Sequence, residues 1–401
     1  MCNANNYIII ALLCGLGACK QPAKETASLE ETRISAKNQR LLEELDSLSQ
    51  ILIKDKRTPG VTYGIQIGDN EPVYQSHGYA HLERQEKTTE QNLFRIASIT
   101  KTMTAISIFQ LIEAKKLELD TRLDAFFPDF PRGDSITVYH LLSHTSGIKN
   151  WYETQMPEET PQDFPMCQTP HQFIQDAKGM FLFEPGEYFY YSNTGYVLLG
   201  EIIEKVSGEE YEPYLEEHIF EPLQMENTLM EKQGRETMKW AEGYAVKDSL
   251  ENPFTVADTY YAMPYAAGGL RSTVGDLLLL MKGLNSGKLM SMDMRNTMTN
   301  YAKVNSGVDV SDKDNIYFPK DFVFPERPDY LSIYGFGLGF LRMDIFGTTA
   351  IWHGGGIAGF QTVLVHMPKS NTTLALFTNA EMPGGYGHIW EAVQRVLAKI
   401  E

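Results

Sequence analysis

The chain has 401 residues, 43% of them hydrophobic, and a formal charge of −17, which allows a large core in one or two domains. No basic stripe is available to neutralise phosphates, which argues against nucleic acid as a partner. No apolar run reaches the length that a membrane-spanning helix needs, about 20 residues.

The first element is an apolar run from Tyr7 to Ala18, the length of a signal-peptide core. The first six residues hold no Lys or Arg, so the basic region that precedes such a core is missing. Leu16-Gly17-Ala18-Cys19 resembles the lipobox of bacterial lipoproteins. That resemblance implies lipidation at Cys19, a leader over 1–19, and an exported, membrane-anchored protein, periplasmic or at the cell surface. Beyond the leader Cys167 is the only other cysteine, so no intrachain disulfide is expected. Residues 20–36, polar and including Pro22, read as a tether to the anchor. A helix is expected near Leu41 to Lys54, then strands at Val61 to Ile67 and Val73 to Tyr79.

Ser98-Ile99-Thr100-Lys101 opens the next helix. Residues three apart share a helix face, with Cβ atoms about 5–6 Å apart, so the Lys101 amine can serve Ser98 as its base without a histidine. Met103 to Ile112 is apolar on almost every side, the mark of a buried helix. Burial disfavours a charged amine, so a lowered Lys101 pKa is expected. Free N–H groups at the helix start would favour a developing oxyanion. A second match, Ser146-Gly147-Ile148-Lys149, falls where Leu141 to Gly147 reads as a helix ending in a turn, and it is read as structural. His140 and His144 lie four apart, yet no third ligand and no metal-binding histidine motif accompanies them. They too are read as structural, and neither metal nor cofactor is expected.

Tyr191-Ser192-Asn193 follows the turn signal Glu184-Pro185-Gly186 and precedes the helical run Gly195 to Val206. Asn193 can cap that helix; its amide can also orient Lys101 or bind a substrate carbonyl, and a loop tyrosine near a lysine can share in proton transfer. Lys232-Gln233-Gly234 sits in a polar stretch that reads as a loop. Val304 to Pro328 lacks periodicity and is expected to be a long loop over a cleft entrance. The β-branched run Thr348 to Trp352 reads as a strand that His353-Gly354-Gly355 ends, with glycines that let a ligand approach the backbone. Gly354, Gly356 and Gly359 match the spacing of a dinucleotide-binding loop, but the strand-like Phe360 to Val365 follows where that motif needs a helix. Phe360 to Met367 and Thr373 to Thr378 should pair with the first two strands in one antiparallel sheet. A closing helix near Gly387 to Lys399 should cover the far face with Leu41 to Lys54.

Ser-x-x-Lys, Tyr-x-Asn and a His-x-Gly in place of Lys-Thr-Gly, in this order, resemble the serine beta-lactamase and penicillin-binding protein superfamily. The resemblance is nearest its class C branch, which includes D-alanyl-D-alanine carboxypeptidases, D-aminopeptidases and esterases. His140-Leu141-Leu142-Ser143-His144-Thr145-Ser146-Gly147, Tyr191-Ser192-Asn193-Thr194-Gly195-Tyr196 and Ala267-Gly268-Gly269-Leu270-Arg271-Ser272-Thr273 support it. The similarity covers about residues 40 to 400. It implies an α/β fold of the α+β type, an antiparallel sheet flanked by helices with an inserted, mostly helical subdomain. The catalytic domain would span 37–401, its sheet part about 37–102 and 267–401 and its helical part about 103–266.

It also implies roles. Ser98 would form an acyl-enzyme, Lys101 and Tyr191 would exchange protons, and Asn193 would contact Lys101 and the substrate. His353 and Gly355 would line the cleft, and the N–H groups of Ser98 and Gly356, the latter on an edge strand, would form the oxyanion hole. His353 lacks the lysine's charge at neutral pH and Gly354 lacks a hydroxyl, so the grip on a substrate carboxylate is weakened. The implied chemistry is therefore peptidase or esterase rather than efficient penicillin hydrolysis. No acidic residue offers itself as a separate deacylation base, which leaves water activation to Tyr191. The alternative is a penicillin-binding-like sensor that recognises cell-wall peptides, or is acylated without turnover.

Overall fold

The computed structural model describes residues 23–150, 181–230, 238–245, 254–255, 265–310, 334–345, 347–381, 393–394 and 396–397. Helix α1 (Ala23–Lys54) opens it. Most of the segment expected to be a tether is thus helical: after Pro22 no Gly or Pro interrupts Ala23–Lys54, and Ala, Glu, Lys, Leu and Arg all favour helix. Leu41, Leu45 and Leu52 fall on one buried stripe of α1.

Strands β1 (Gly60–Ile67), β2 (Val73–His81) and β3 (Glu86–Lys87) follow. The chain then runs through β4 (Phe94–Arg95), α2 (Thr100–Glu113), α3 (Val138–Leu142), α4 (Asn193–Ser207) and the short strands β5 (Leu229–Met230), β6 (Tyr244–Ala245) and β7 (Phe254–Thr255). It continues with α5 (Tyr265–Gly268), β8 (Leu270–Ser272) and α6 (Val274–Asn285). Last come β9 (Tyr334–Phe336), β10 (Leu341–Ile345), β11 (Thr348–Ile357), β12 (Phe360–Met367), β13 (Thr372–Thr378) and β14 (Ala380–Glu381).

An eight-stranded antiparallel sheet in the order β3-β2-β1-β13-β12-β11-β10-β9 joins the start of the chain to its end. The four strands expected to pair do so: Tyr63 lies opposite Leu376 and Gln75, and Val365 opposite Leu374. Successive side chains on a strand point to opposite faces, and β12 and β13 feed two cores in alternation. Phe360, Leu364, Ala375 and Phe377 enter the larger core, shared with α2, α4 and α6. Val363, Val365, Leu374 and Leu376 enter the smaller one, closed by α1 and by Val393, Val396 and Leu397. Residues 393–394 and 396–397 are helical, the described part of the expected closing helix. Each Leu or Phe so buried contributes about 1.5–3 kcal/mol relative to exposure, which is why these strands read as continuous apolar runs.

Two short sheets, β4-β8-β5 and β14-β6-β7, adjoin β12 through β4 and β14. Lys232-Gln233-Gly234, residues 311–328 of the expected entrance loop, Cys19 and Cys167 lie outside the described residues. Within that loop Asn305 bonds to the Pro185-Gly186 turn through both its backbone and its side chain. Among the described residues no helix is long and apolar enough to cross a membrane.

Strand β11 differs from expectation in two ways. It does not end at the glycines but runs to Ile357, because Gly354, Gly355 and Gly356 pair in register with Val363, Thr362 and Gln361 of β12. Nor is it an edge strand of the sheet, since β10 lies beyond it. However, β10 pairs with it only through Trp352, so the half from His353 to Ile357 forms a local edge. There a Cβ on Gly355 would strike the Ile96 carbonyl and the Thr362 hydroxyl, whereas one on Gly356 would meet no heavy atom within 4 Å. Gly355 lets the strand press against the turn before Ser98. In urea denaturation Gly355→Ala is expected to cost about 1–3 kcal/mol from overpacking, and Gly356→Ala to stay within about 0.5 kcal/mol of the parent. Equal stability of the two variants would contradict this packing.

Candidate active site

Ser98 stands at the mouth of the larger core because the chain turns sharply before it. Ile96 is fixed by its N–H to the Leu270 carbonyl at 3.1 Å and by the Thr362 hydroxyl to its own carbonyl at 3.1 Å. Ala97 then takes φ of 45°, a left-handed conformation that costs a residue with a Cβ on the order of 1–2 kcal/mol. A short 3₁₀ turn, Ala97–Ile99, leads into α2. Ser98 is left half-buried while Thr100, Lys101 and Thr102 are wholly buried.

Lys101 Nζ lies 3.1 Å from Ser98 Oγ, 2.7 Å from Asn193 Oδ1 and 2.6 Å from the Ala267 carbonyl oxygen. Two of these partners are amide oxygens, which only accept. A neutral amine therefore gives both its N–H groups to Asn193 and Ala267 and turns its lone pair to the Ser98 hydroxyl. Burial holds the Lys101 pKa well below the usual amine value, which populates that form.

Asn193 is free for this bond because Ser192 is the helix cap, its hydroxyl accepting from the Gly195 N–H at 3.3 Å. Of the two uses open to the Asn193 side chain, the structure shows the bond to Lys101. The Tyr191 ring centroid lies 4.9 Å from Lys101 Nζ, close enough for a favourable cation–π contact whenever the amine is charged.

His353 donates from Nδ1 to the Gly354 carbonyl at 2.7 Å, since a carbonyl can only accept. Its Nε2 is then an acceptor. Burial, and after it the nearby Lys101, pushes its pKa down to about 3, so this wall of the cleft carries no charge from the histidine at neutral pH.

The decoys have other uses. Gly147 takes φ of 73° in a turn, so Ser146 and Lys149 do not share a helix face. His140 Nδ1 accepts from the Thr137 N–H in a capping box on α3, and His144 Nδ1 accepts from the Ser192 N–H at 3.1 Å. Sequence reasoning missed the Ala267 carbonyl, since a backbone acceptor leaves no trace in residue type. It also missed Asn150, whose side chain donates to the Tyr191 carbonyl at 2.8 Å and accepts from the Asn193 N–H at 2.6 Å. The aromatic wall of Phe189 stacked on Phe336, with centroids 4.2 Å apart, gave no signal beyond composition.

A wide antiparallel sheet, a buried helix core and a serine–lysine pair at their junction define an acyl-transfer scaffold. The sequence matches the Beta-lactamase family over residues 39–399; the chain belongs to that family and is a serine hydrolase. It is 25% identical over 365 residues to penicillin-binding protein 4* of Bacillus subtilis, covering 88% of this chain and 75% of that protein. It is 24% identical over 325 residues to a D-aminopeptidase of Gluconobacter oxydans, covering 80% of this chain but 56% of the relative. The chain thus spans little more than half the length of that second protein. In three dimensions it resembles the D-amino acid amidase of Ochrobactrum anthropi complexed with D-phenylalanine, with a TM-score of 0.72, 25% identity, and coverage of 89% of this chain and 99% of that one.

The lowered Lys101 pKa has a thermodynamic signature. The unfolded chain holds this proton up to about pH 10.4, while the folded chain releases it at lower pH, so the unfolded state binds more protons across that interval. Stability should therefore rise with pH there, at up to about 1.4 kcal/mol per unit relative to Lys101→Met. Urea midpoints from about pH 7 to 10 test this, and parallel curves for the two proteins would mean that Lys101 titrates normally.

Proposed function

We propose that the chain hydrolyses short acyl esters or amides of D-amino-acid peptides through an acyl-enzyme on Ser98. The observation that carries this is the Lys101 amine, 3.1 Å from Ser98 Oγ with its other two bonds committed to amide oxygens. Neutral Lys101 takes the proton as Ser98 Oγ attacks the carbonyl carbon, and the oxyanion is received by the N–H groups of Ser98 and Gly356. Tyr191 passes a proton to the leaving amine or alcohol. It then takes one from the water that cleaves the ester on Ser98, which restores the phenol, while protonated Lys101 returns its proton to the departing Ser98 Oγ and regenerates the serine hydroxyl. Asn193 holds Lys101 and meets the substrate. His353, neutral and presenting an acceptor, gives no cation to a substrate carboxylate, so efficient penicillin turnover is not expected. The names of the D-aminopeptidase and amidase relatives support the amide side of this reading.

The test uses the protein without residues 1–19, a fluorophosphonate probe, a labelled penicillin, a nitrophenyl ester and a D-alanyl nitroanilide. Ser98-dependent labelling with ester or anilide turnover is expected. Lys101→Ala should lose acylation almost as fully as Ser98→Ala, on the order of a thousandfold or more, because residues acting as a unit are non-additive. Near-normal acylation in Lys101→Ala would refute the base. Stable penicillin labelling without turnover would favour the sensor reading.

We further propose that the protein is an exported lipoprotein anchored through Cys19, a reading supported by the apolar run and Leu16-Gly17-Ala18-Cys19. Metabolic labelling with a fatty acid in a bacterial host should mark the parent and not Cys19→Ala, and the variant should leave the membrane fraction. Equal labelling of both would end this reading.

A further inference from the structure

His144 follows α3 in the left-handed region, with φ of 59°, and is 3% exposed. It touches the Tyr191 segment at three points. Its carbonyl accepts from the Tyr190 N–H at 2.9 Å. Its Nδ1 accepts from the Ser192 N–H at 3.1 Å. Between those bonds its ring stacks on the Tyr191 ring, with centroids 4.3 Å apart and planes 27° apart. Tyr196, at 5.0 Å, and Phe189 and Phe336, edge-on at 5.9 and 5.8 Å, close the remaining sides of the imidazole.

We propose that His144 is the positioning residue for Tyr191, holding the tyrosine ring against Lys101 by a combination of stacking and backbone grip that only an imidazole supplies. This rests on the role given to Tyr191 above. The two functions call for an aromatic face and an in-plane acceptor in one side chain. Phe has the face alone, Asn the acceptor alone. Because Nδ1 accepts from a backbone N–H, the neutral ring carries its proton on Nε2. Burial, with Lys101 and His353 nearby, keeps the ring uncharged, so no second cation competes with Lys101 for the tyrosine. Asn150 completes the frame from the same loop through the Tyr191 carbonyl and the Asn193 N–H. The loop after α3 thereby fixes the tyrosine and the lysine's side-chain acceptor together.

The experiment is a mutant cycle on nitrophenyl acetate: His144→Asn, His144→Phe, Tyr191→Phe and the two double variants, with kcat and KM taken per folded site and thermal melts alongside. Asn tolerates the left-handed backbone, so at least that variant should fold. The expected result is a loss in kcat of about ten- to hundredfold in each His144 variant with KM little changed, since misplacement of about 1 Å costs on that order. Combined with Tyr191→Phe, either variant should add nothing further. A kcat for His144→Asn equal to the parent, or a loss that multiplies with that of Tyr191→Phe, would overturn the proposal while leaving the tyrosine's role intact. Parental turnover in Tyr191→Phe would instead overturn the tyrosine's role and this proposal with it.

Discussion

The burial of one amine sets the terms for the rest of the molecule. A lysine with no solvent exposure is tolerable only if its hydrogen-bonding capacity is met and its charge is dispensable. Both conditions come from elsewhere in the chain: the Asn193 side chain from the start of α4 and the Ala267 carbonyl from α5. Those helices pack on α2 through the large core, so the apolar packing that stabilises the fold also fixes the geometry of the base.

The sheet contributes the opposite wall by a mismatch in strand length. If β10 were as long as β11, its backbone would occupy the edge at His353 to Ile357; because it stops opposite Trp352, no strand among the described residues takes that edge. Adjacent glycines divide the work. Gly355 admits the Ile96 carbonyl on one side, and Gly356 leaves free space on the other. A residue with a Cβ at the first would push the strand away from the turn that presents Ser98.

What was legible in the sequence follows the range over which each interaction acts. Ser98 and Lys101 are one helical turn apart, so their contact is written in local spacing. Strands β12 and β13 are buried on both faces and announce themselves as apolar runs. The cap of α4 stays open in the sequence because Ser192 and Asn193 are adjacent and both can cap; the choice is settled by Lys101, 92 residues away. The end of β11 was misread because glycine weakens a strand signal while leaving its N–H and carbonyl able to pair. Polarity points to a tether over 20–36, whereas the absence of Gly and Pro after Pro22 points to the helix. The spacing of His144 from His140 is visible in the sequence and suggests a metal ligand, whereas its contact with Ser192, 48 residues on, is not visible. The class of hydrolase followed from three short motifs and their order, which no single motif would have supported.

The Lys101 amine draws its partners from separations of 92 and 166 residues. Contacts across such separations cost the entropy of closing long loops before they stabilise anything. A folding intermediate that has formed α2 but not yet docked α4 and α5 leaves this amine in water, where it is protonated at neutral pH. Nucleophile activation therefore requires the assembled core: undocking of either helix removes a partner of the amine and, with it, the base of Ser98.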